Sequence, residues 1–184
     1  MGAELAWRQG DYAEAARCCE AVLAAVAPNT ARWWQALRAQ VKSRLAVAVL
    51  RHGDAGRCHA LLAEALDAAA GWREHPALAA VLDACAYCVL HGTVRHGTVR
   101  HGVVRHGAAA GEAGTDDAER AATLLGAAHA VRGAFDESSL DAPPARAAAV
   151  QALGSARFAA AYEAGRTHTY ESAVALARAA LSAG

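Results

Sequence analysis

The sequence predicts an all-α fold, in which helix pairs stack side by side and further helices cover the C-terminal end. Three observations predict it. Apolar residues recur at helical spacing along most of the 184 residues. Two Gly-Asp pairs each separate one such segment from the next, Gly10-Asp11 and Gly53-Asp54, and their glycines are 43 residues apart. Hydrophobic residues make up 55% of the chain, which is enough for a sizeable core.

Composition limits the class of protein. The formal net charge is zero, so the whole chain has no electrostatic bias toward nucleic acid or anionic membranes. No run of about 18 apolar residues and no basic leader followed by an apolar run is present. The five cysteines are odd in number and lie within apolar helical patterns, unlike a secreted disulfide framework. We therefore expect a cytoplasmic protein with reduced thiols and no membrane contact.

The first predicted helix pair joins at Gly10-Asp11. After this turn, a helix with apolar residues at i, i+3, i+4 and i+7 continues to the break at Pro28. Its apolar stripe consists of Tyr12, Ala15, Ala16, Cys19, Val22, Leu23 and Val26. A Gly-Asp-Tyr turn, small residues where helices cross and a closing proline resemble the second half of a tetratricopeptide unit. At most nine residues precede the turn, so we expect the chain to begin inside a helix of a longer array.

The second predicted pair joins at Gly53-Asp54. Thr30 is the expected N-cap of a helix over residues 31–51, whose apolar stripe includes Trp34, Leu37, Val41, Leu45 and Ala48. The next helix, over residues 56–70, directs five residues inward: Cys58, Leu61, Leu62, Ala65 and Leu66. Such helix-pair repeats bury their apolar faces only by stacking on one another.

The third predicted pair consists of helices over residues 77–90 and 116–133, joined by an insertion at residues 91–115. Together, residues 1–133 form the predicted array of about three helix pairs, a tetratricopeptide-like α-solenoid. Residues 134–184 form a C-terminal helical cap. Its helices are predicted over residues 144–153, over residues 156–164 with Gly165 as C-cap, and over residues 170–181 with Thr169 as N-cap.

The inserted segment contains a tandem His-Gly-x-Val-Arg repeat. Four histidines and three arginines recur every five residues between His91 and Gly107. Successive histidines would rotate by about 140° around a helix and alternate between the faces of a strand, so they share no face in either structure. We therefore expect a solvent-exposed expanded loop; incidental metal chelation and a dedicated site are the alternatives. His129, in an apolar helical pattern, is expected to be a hydrogen-bonded core or boundary residue.

Three C-terminal segments carry a family resemblance. They are residues 119–133 (ERAATLLGAAHAVRG), residues 158–166 (FAAAYEAGR) and residues 170–176 (YESAVAL). They resemble the C-terminal region of bacterial SARP- and LuxR-type transcriptional regulators that contain ATPase and tetratricopeptide-like parts. The resemblance implies a non-catalytic sensor or scaffold module that binds a protein partner, without a cofactor or a metal. Because the chain has no phosphate-binding loop and no recognisable DNA-reading helix, ATPase activity and direct nucleic-acid contact are not expected.

A second hypothesis, that the protein is an enzyme, rests on the motif Cys85-Ala-Tyr-Cys88 followed by His91. This motif resembles that of the AhpD-like alkylhydroperoxidases, helical thiol peroxidases that use a cysteine pair, a histidine and an upstream glutamate. The resemblance implies catalytic roles for Cys85, Cys88, His91 and Glu74. His91 follows Cys88 by three residues, where the family places its histidine four residues on. The competing interpretation, that both cysteines are small core residues of a repeat helix, is the one that we adopt.

Two surface predictions concern the array. The helix over residues 31–51 carries five basic residues and no acidic one, so Arg38 and Lys42 are candidates for binding an acidic partner, or else belong to a solvated face. The open first repeat also predicts self-association of the chain.

Overall fold

The computed structural model describes residues 2–27, 31–73, 75–92 and 114–182. These ranges are all-helical and contain no strand. They form nine helices: α1 (Gly2–Arg8), α2 (Tyr12–Val26), α3 (Arg32–Arg51), α4 (Ala55–Trp72), α5 (His75–His91), α6 (Thr115–Arg132), α7 (Ala142–Leu153), α8 (Ser155–Arg166) and α9 (Tyr170–Ser182). None of these helices combines the length and the hydrophobicity needed to cross a bilayer. The predicted helices are confirmed with small shifts at their ends, while the predicted N-cap Thr30 and the His-Gly-x-Val-Arg repeat beyond Gly92 lie outside the described residues.

The two Gly-Asp turns have the same local structure. Gly10 and Gly53 adopt left-handed backbone conformations, with φ of 77° and 98°. The amide of the following aspartate donates to the carbonyl oxygen five residues earlier, at 2.9 Å in the first turn and 3.0 Å in the second. Oδ1 of Asp11 and of Asp54 then accepts from the amide three residues later, at 2.9 Å in both. Glycine therefore ends one helix and aspartate begins the next, twice, by the same hydrogen bonds.

α5 is the central helix of the described fold. It contacts α3, α4, α6, α7 and α9, and nearly all of its residues between Ala77 and Leu90 are buried. Its sequence is apolar on every side, apart from Asp83, which fits a helix surrounded by other helices. The hydrophobic core is continuous from Cys19 in α2 to Ala180 in α9. The helices after residue 133 thus share one core with those before it.

The helices from α1 to α7 contact one another in a regular order. Each packs against the next one in the chain, and α3, α5 and α7 also form a row of neighbours. The last two helices depart from this order. α8 packs more extensively on α6 than on α7, and α9 returns to lie against α4, α5 and α6.

The contact between α6 and α8 brings two backbones unusually close. A Cβ atom added to Gly126 would lie 2.0 Å from the carbonyl oxygen of Tyr162, and one added to Gly165 would lie 2.1 Å from that of Thr123. Only glycine fits at such distances. The prediction that Gly165 caps α8 is therefore wrong, since α8 continues to Arg166 and Gly165 serves the helix crossing.

Thr169 begins α9 as predicted. Its Oγ1 accepts a hydrogen bond from the amide of Ser172 at 3.3 Å, and its carbonyl oxygen accepts from the amide of Ala173 at 2.9 Å. In α2, by contrast, Val22 is 40% exposed although the apolar pattern places it in the buried stripe. α2 contacts α1 and α3, and these helices cover Ala15, Cys19 and Val26 while leaving Val22 open.

Candidate functional site

The Cys85-x-x-Cys88 pair lies deep in the central helix. The two residues are only 1% and 5% exposed. Burial raises the pKa of the Cys85 thiol above its usual range, with smaller contributions from Cys58 and Asp83. A thiol that stays protonated is a weak nucleophile, because the thiolate is the reactive form. The local environment of Cys85 is therefore the opposite of the electropositive, accessible setting that a catalytic thiol needs.

The nearest thiol to Cys88 comes from another helix. Sγ of Cys88 lies 3.0 Å from Sγ of Cys58, in the first turn of α4. This contact and burial together raise the pKa of the Cys88 thiol well above its usual value. The structure thus brings Cys88 together with Cys58, a pairing that the sequence motif does not indicate.

The peroxidase hypothesis also requires His91 and Glu74. His91 ends α5 and is exposed on one side, while its ring lies against Tyr87 with 4.3 Å between ring centroids. Partial burial and the Arg51 guanidinium lower the pKa of His91 to about 4. Glu74 lies outside the described residues. Of the four residues in the hypothesis, the three described ones are two buried cysteines one turn apart on α5 and a histidine at the end of that helix.

The basic residues of α3 engage in contacts within the chain. A terminal nitrogen of Arg38 donates to the carbonyl oxygens of Val26 and Ala27, at 2.6 and 2.8 Å. Those carbonyls belong to the C-terminal end of α2, where a cation is favourable. Nζ of Lys42 lies 2.6 Å from Oε2 of Glu64 on α4. Both side chains thus connect neighbouring helices, and any partner would compete with these contacts.

An aromatic patch lies at the start of α3. Trp33 is 60% exposed and stacks on Trp34, with ring centroids 3.7 Å apart and planes inclined by 27°. We call this pair the tryptophan patch. The apolar pattern assigned Trp34 to the inner stripe, and it is indeed half-buried, whereas Trp33 contributes a large apolar surface to solvent. Tryptophan is enriched among the residues that carry the binding energy where proteins bind one another.

A cluster of buried charges lies between α3, α5, α6 and the start of α7. Nη2 of Arg132 lies 2.6 Å from Oδ2 of Asp83, whose side chain is 3% exposed. Burial raises the pKa of Asp83 to about 6, and Arg132 opposes this rise. Asp141 is also buried, and no described residue donates a hydrogen bond to its Oδ1. Burial and the nearby Asp83 raise the pKa of Asp141 to about 7.

Sequence reasoning missed this cluster and the Cys58 contact. Asp83 carried a usable signal, because it is the one charge in the apolar run between Leu78 and Leu90, and a charge in a buried helix requires a partner. Its partner Arg132 is 49 residues away, and no local pattern connects the two. Cys58 was assigned correctly to the inner face of α4, but spacing does not reveal which thiol it meets.

His129 forms part of the contact between α6 and α8. Its Nδ1 lies 2.7 Å from the hydroxyl oxygen of Tyr162, and burial lowers its pKa. The interpretation of His129 as a hydrogen-bonded boundary residue is therefore confirmed.

Within the described ranges, no group of three or more His, Cys, Asp or Glu side chains is arranged to hold a metal ion. Comparisons with models of known protein families, with curated proteins and with solved structures found no significant match.

Proposed function

We propose that this chain is a non-catalytic helical-repeat module that binds a protein partner. In this proposal α1 to α6 form three tetratricopeptide-like helix pairs, and α7 to α9 form the C-terminal cap. The repeated Gly-Asp turn supports the array, because the same hydrogen bonds join α1 to α2 and α3 to α4. The role as the sensor or scaffold region of a bacterial transcriptional regulator rests on the sequence resemblance of the C-terminal segments.

The tryptophan patch is the observation that carries the binding proposal. Trp33 belongs to α3, the first helix of the second pair, and is more than half exposed. A stacked pair of rings loses little conformational freedom on binding and offers a large contact area. Arg38 and Lys42 lie farther along the same helix. They follow Trp34 by four and eight residues, and lie about 140° and 180° around the helix from Trp33. We therefore propose the tryptophan patch as the anchor and the two basic side chains as a separate set of contacts for an acidic segment of the partner.

Site-specific photo-crosslinking in cells of the source organism tests this proposal. A benzoyl-phenylalanine introduced at Trp33 should give a discrete protein adduct on irradiation. The same group at Ala159, an exposed position on α8, provides the matched control and should give none. Equal adduct patterns at both positions, or no adduct at either, would contradict a partner site at the tryptophan patch.

Salt dependence tests the basic side chains separately. Once the partner is known, its affinity for the chain should fall as salt rises, and Arg38→Ala with Lys42→Ala should weaken this dependence. Arg57→Ala removes an exposed arginine from α4 and serves as the control. An affinity that is insensitive to salt would leave the aromatic pair as the whole of the site and exclude the basic side chains from it.

Self-association is a second part of the proposal. Leu5 on α1 is 59% exposed and Val22 on α2 is 40% exposed, so the first pair carries uncovered apolar side chains. A second copy covering them would continue the stacking of helix pairs. Sedimentation velocity over a wide concentration range should show oligomers that Leu5→Glu with Val22→Glu removes and Ala159→Glu does not. A monomer at every concentration would refute this part.

The thiol peroxidase alternative makes the opposite prediction for catalysis. We expect the purified protein, supplied with a dithiol reductant, to reduce an organic hydroperoxide far more slowly than a catalytic thiol pair would, and at a rate that Cys85→Ser leaves unchanged. The reason is that Cys85 and Cys88 are buried and held as neutral thiols. Turnover that is lost in Cys85→Ser would establish the enzyme and contradict the non-catalytic proposal.

A further inference from the structure

The contact between α4 and α5 holds two thiols at almost bonding distance. Cys58 lies in the first turn of α4 and Cys88 in the last turn of α5, and their sulfur atoms are 3.0 Å apart. A disulfide bond has an S–S length of about 2.05 Å. Side-chain rotation and a shift of roughly 1 Å would therefore close the bond, without bringing together parts of the chain that are distant in the fold.

The other cysteines are arranged differently. Cys85 lies one turn before Cys88 on the same helix, and the sulfur contact that Cys88 makes is to Cys58 on the neighbouring helix. Cys18 and Cys19 are adjacent in α2, and Cys18 instead contacts Oε1 of Glu14 with its sulfur. Pairing through Cys58 and Cys88 is thus the one that needs the least rearrangement.

We propose that Cys58 and Cys88 form an intramolecular disulfide when a hydroperoxide oxidises the protein. One thiol loses its proton and attacks the peroxide oxygen, giving a sulfenic acid and, for hydrogen peroxide, one molecule of water. The second thiol attacks this sulfur, the S–S bond forms and a second water leaves. In total two thiols lose two electrons and two protons, and hydrogen peroxide takes up both to become two molecules of water.

Burial determines the rate and the effect of this modification. The raised pKa of Cys88 keeps its thiolate fraction small, so oxidation is slower than at an exposed thiol and favours a small, neutral oxidant. Once formed, the bond ties the start of α4 to the end of α5. It closes a loop that contains most of both helices, which restricts the unfolded chain and stabilises the fold. Oxidation therefore links α4 to α5 covalently until a reductant cleaves the bond, and the tryptophan patch on α3, the proposed partner site, takes no part in this link.

Peptide mapping of the oxidised protein tests the pairing directly. The purified, dilute protein is treated with hydrogen peroxide, its remaining thiols are blocked by alkylation, and a non-reduced digest is analysed by mass spectrometry. We expect a cross-linked peptide pair containing Cys58 and Cys88 and, in the intact protein before alkylation, a mass lower by two hydrogen atoms. The pair should persist in Cys85→Ser and disappear in Cys58→Ser. A disulfide through Cys85, Cys18 or Cys19, or sulfinic and sulfonic acids alone, would overturn the proposal.

Thermal unfolding supplies a second readout, which the wild-type protein gives without any substitution. The oxidised wild-type protein should unfold at a temperature higher by several degrees than the reduced protein, and a dithiol reductant should reverse the shift. An unchanged or lowered unfolding temperature would show that the bond, if formed, distorts the contact between α4 and α5, and would overturn its proposed stabilising role. The same comparison in Cys85→Ser should retain the shift, since Cys85 takes no part in the bond.

Discussion

The helices at the two ends of the described chain are held in different ways. α1 and α2 are connected by a turn whose hydrogen bonds all lie within a few residues, and Ala6 and Ala15 form a small buried cluster with Ala48 of α3. α8 and α9 are held by contacts between residues far apart in the chain. The hydroxyl of Tyr170 donates to the carbonyl oxygen of Ala69, and Arg178 pairs with Asp67.

The turn between the first two helices is therefore specified by nearby residues, whereas the last two helices depend on packing against distant parts of the chain. A helix pair joined by a Gly-Asp turn is specified by a few neighbouring residues, so it can repeat along a chain. The C-terminal helices instead depend on α4, α5 and α6 being in place. Substitutions in the C-terminal contacts should therefore affect the whole fold, whereas substitutions in the first turn should affect mainly the first helices.

Gly126→Ala should cause the largest loss of stability. The new Cβ would lie 2.0 Å from the carbonyl oxygen of Tyr162, and a backbone atom cannot move aside without separating α6 from α8. We expect a loss of about 3 kcal/mol or more, measured by urea denaturation.

Gly71→Ala is the matched control for this substitution. Gly71 also lies within a helix, α4, but a Cβ there meets nothing within 4 Å. Alanine favours a helix over glycine by roughly 1 kcal/mol, so this variant should be neutral or slightly more stable. Similar effects of the two substitutions would mean that the close approach of α6 and α8 does not hold the C-terminal helices.

Asp141→Asn should stabilise the protein above neutral pH. Asp141 faces Asp83 on α5 and, on α3, Arg44 and Arg51, and its pKa is raised to about 7 in the folded protein. The folded state then binds the proton more tightly than the unfolded state does. Stability from this group is therefore greatest at low pH and is lost as pH rises from about 4 to above 7. We expect asparagine to add about 2 kcal/mol at pH 8 and little at pH 4.

The experiment compares unfolding free energies of wild type and variant at several pH values. Asp116→Asn, which removes an exposed carboxylate at the start of α6, is the control and should not stabilise at pH 8. A gain from Asp141→Asn that is the same at pH 4 and pH 8 would show that the carboxyl does not titrate as a buried group.

The helix caps provide a smaller and more local comparison. Asp11→Ala and Asp54→Ala each remove one hydrogen bond of the same length to the start of a helix, at a cost of about 1 kcal/mol. Because Asp54 caps α4, which supports α9, its loss should lower global stability. The loss of Asp11 should increase hydrogen exchange mainly in α1 and α2. Equal global effects would show that the first helices unfold together with the rest.

Features that depend on neighbouring residues could be predicted from the sequence, whereas features that depend on tertiary contacts could not. Helices, turns and inner faces depend on neighbouring residues, and the segments around Gly10 and Gly53 were predicted accurately. The role of Gly126 and Gly165 in the contact between α6 and α8 was not predicted. A glycine that permits a distant backbone to approach has the same local sequence as one that ends a helix. Asp83 was recognisable as a charge in an apolar helix, but its partner on α6 and its neighbour Asp141 depend on the tertiary arrangement.

Deletion of residues 93–111 should have the smallest effect of all. α5 and α6 pack against each other along their length, and Gly92 already closes α5 by donating to the carbonyl oxygen of Cys88 at 2.7 Å. The free energy of closing a loop depends only weakly on its length. Because the sequence predicts a loop over these residues, we expect the helical circular dichroism per residue to rise slightly and the unfolding midpoint to change by less than about 2 °C. A collapse of the helical signal would mean that the histidine repeat, and not the contact between the two helices, organises the centre of the fold.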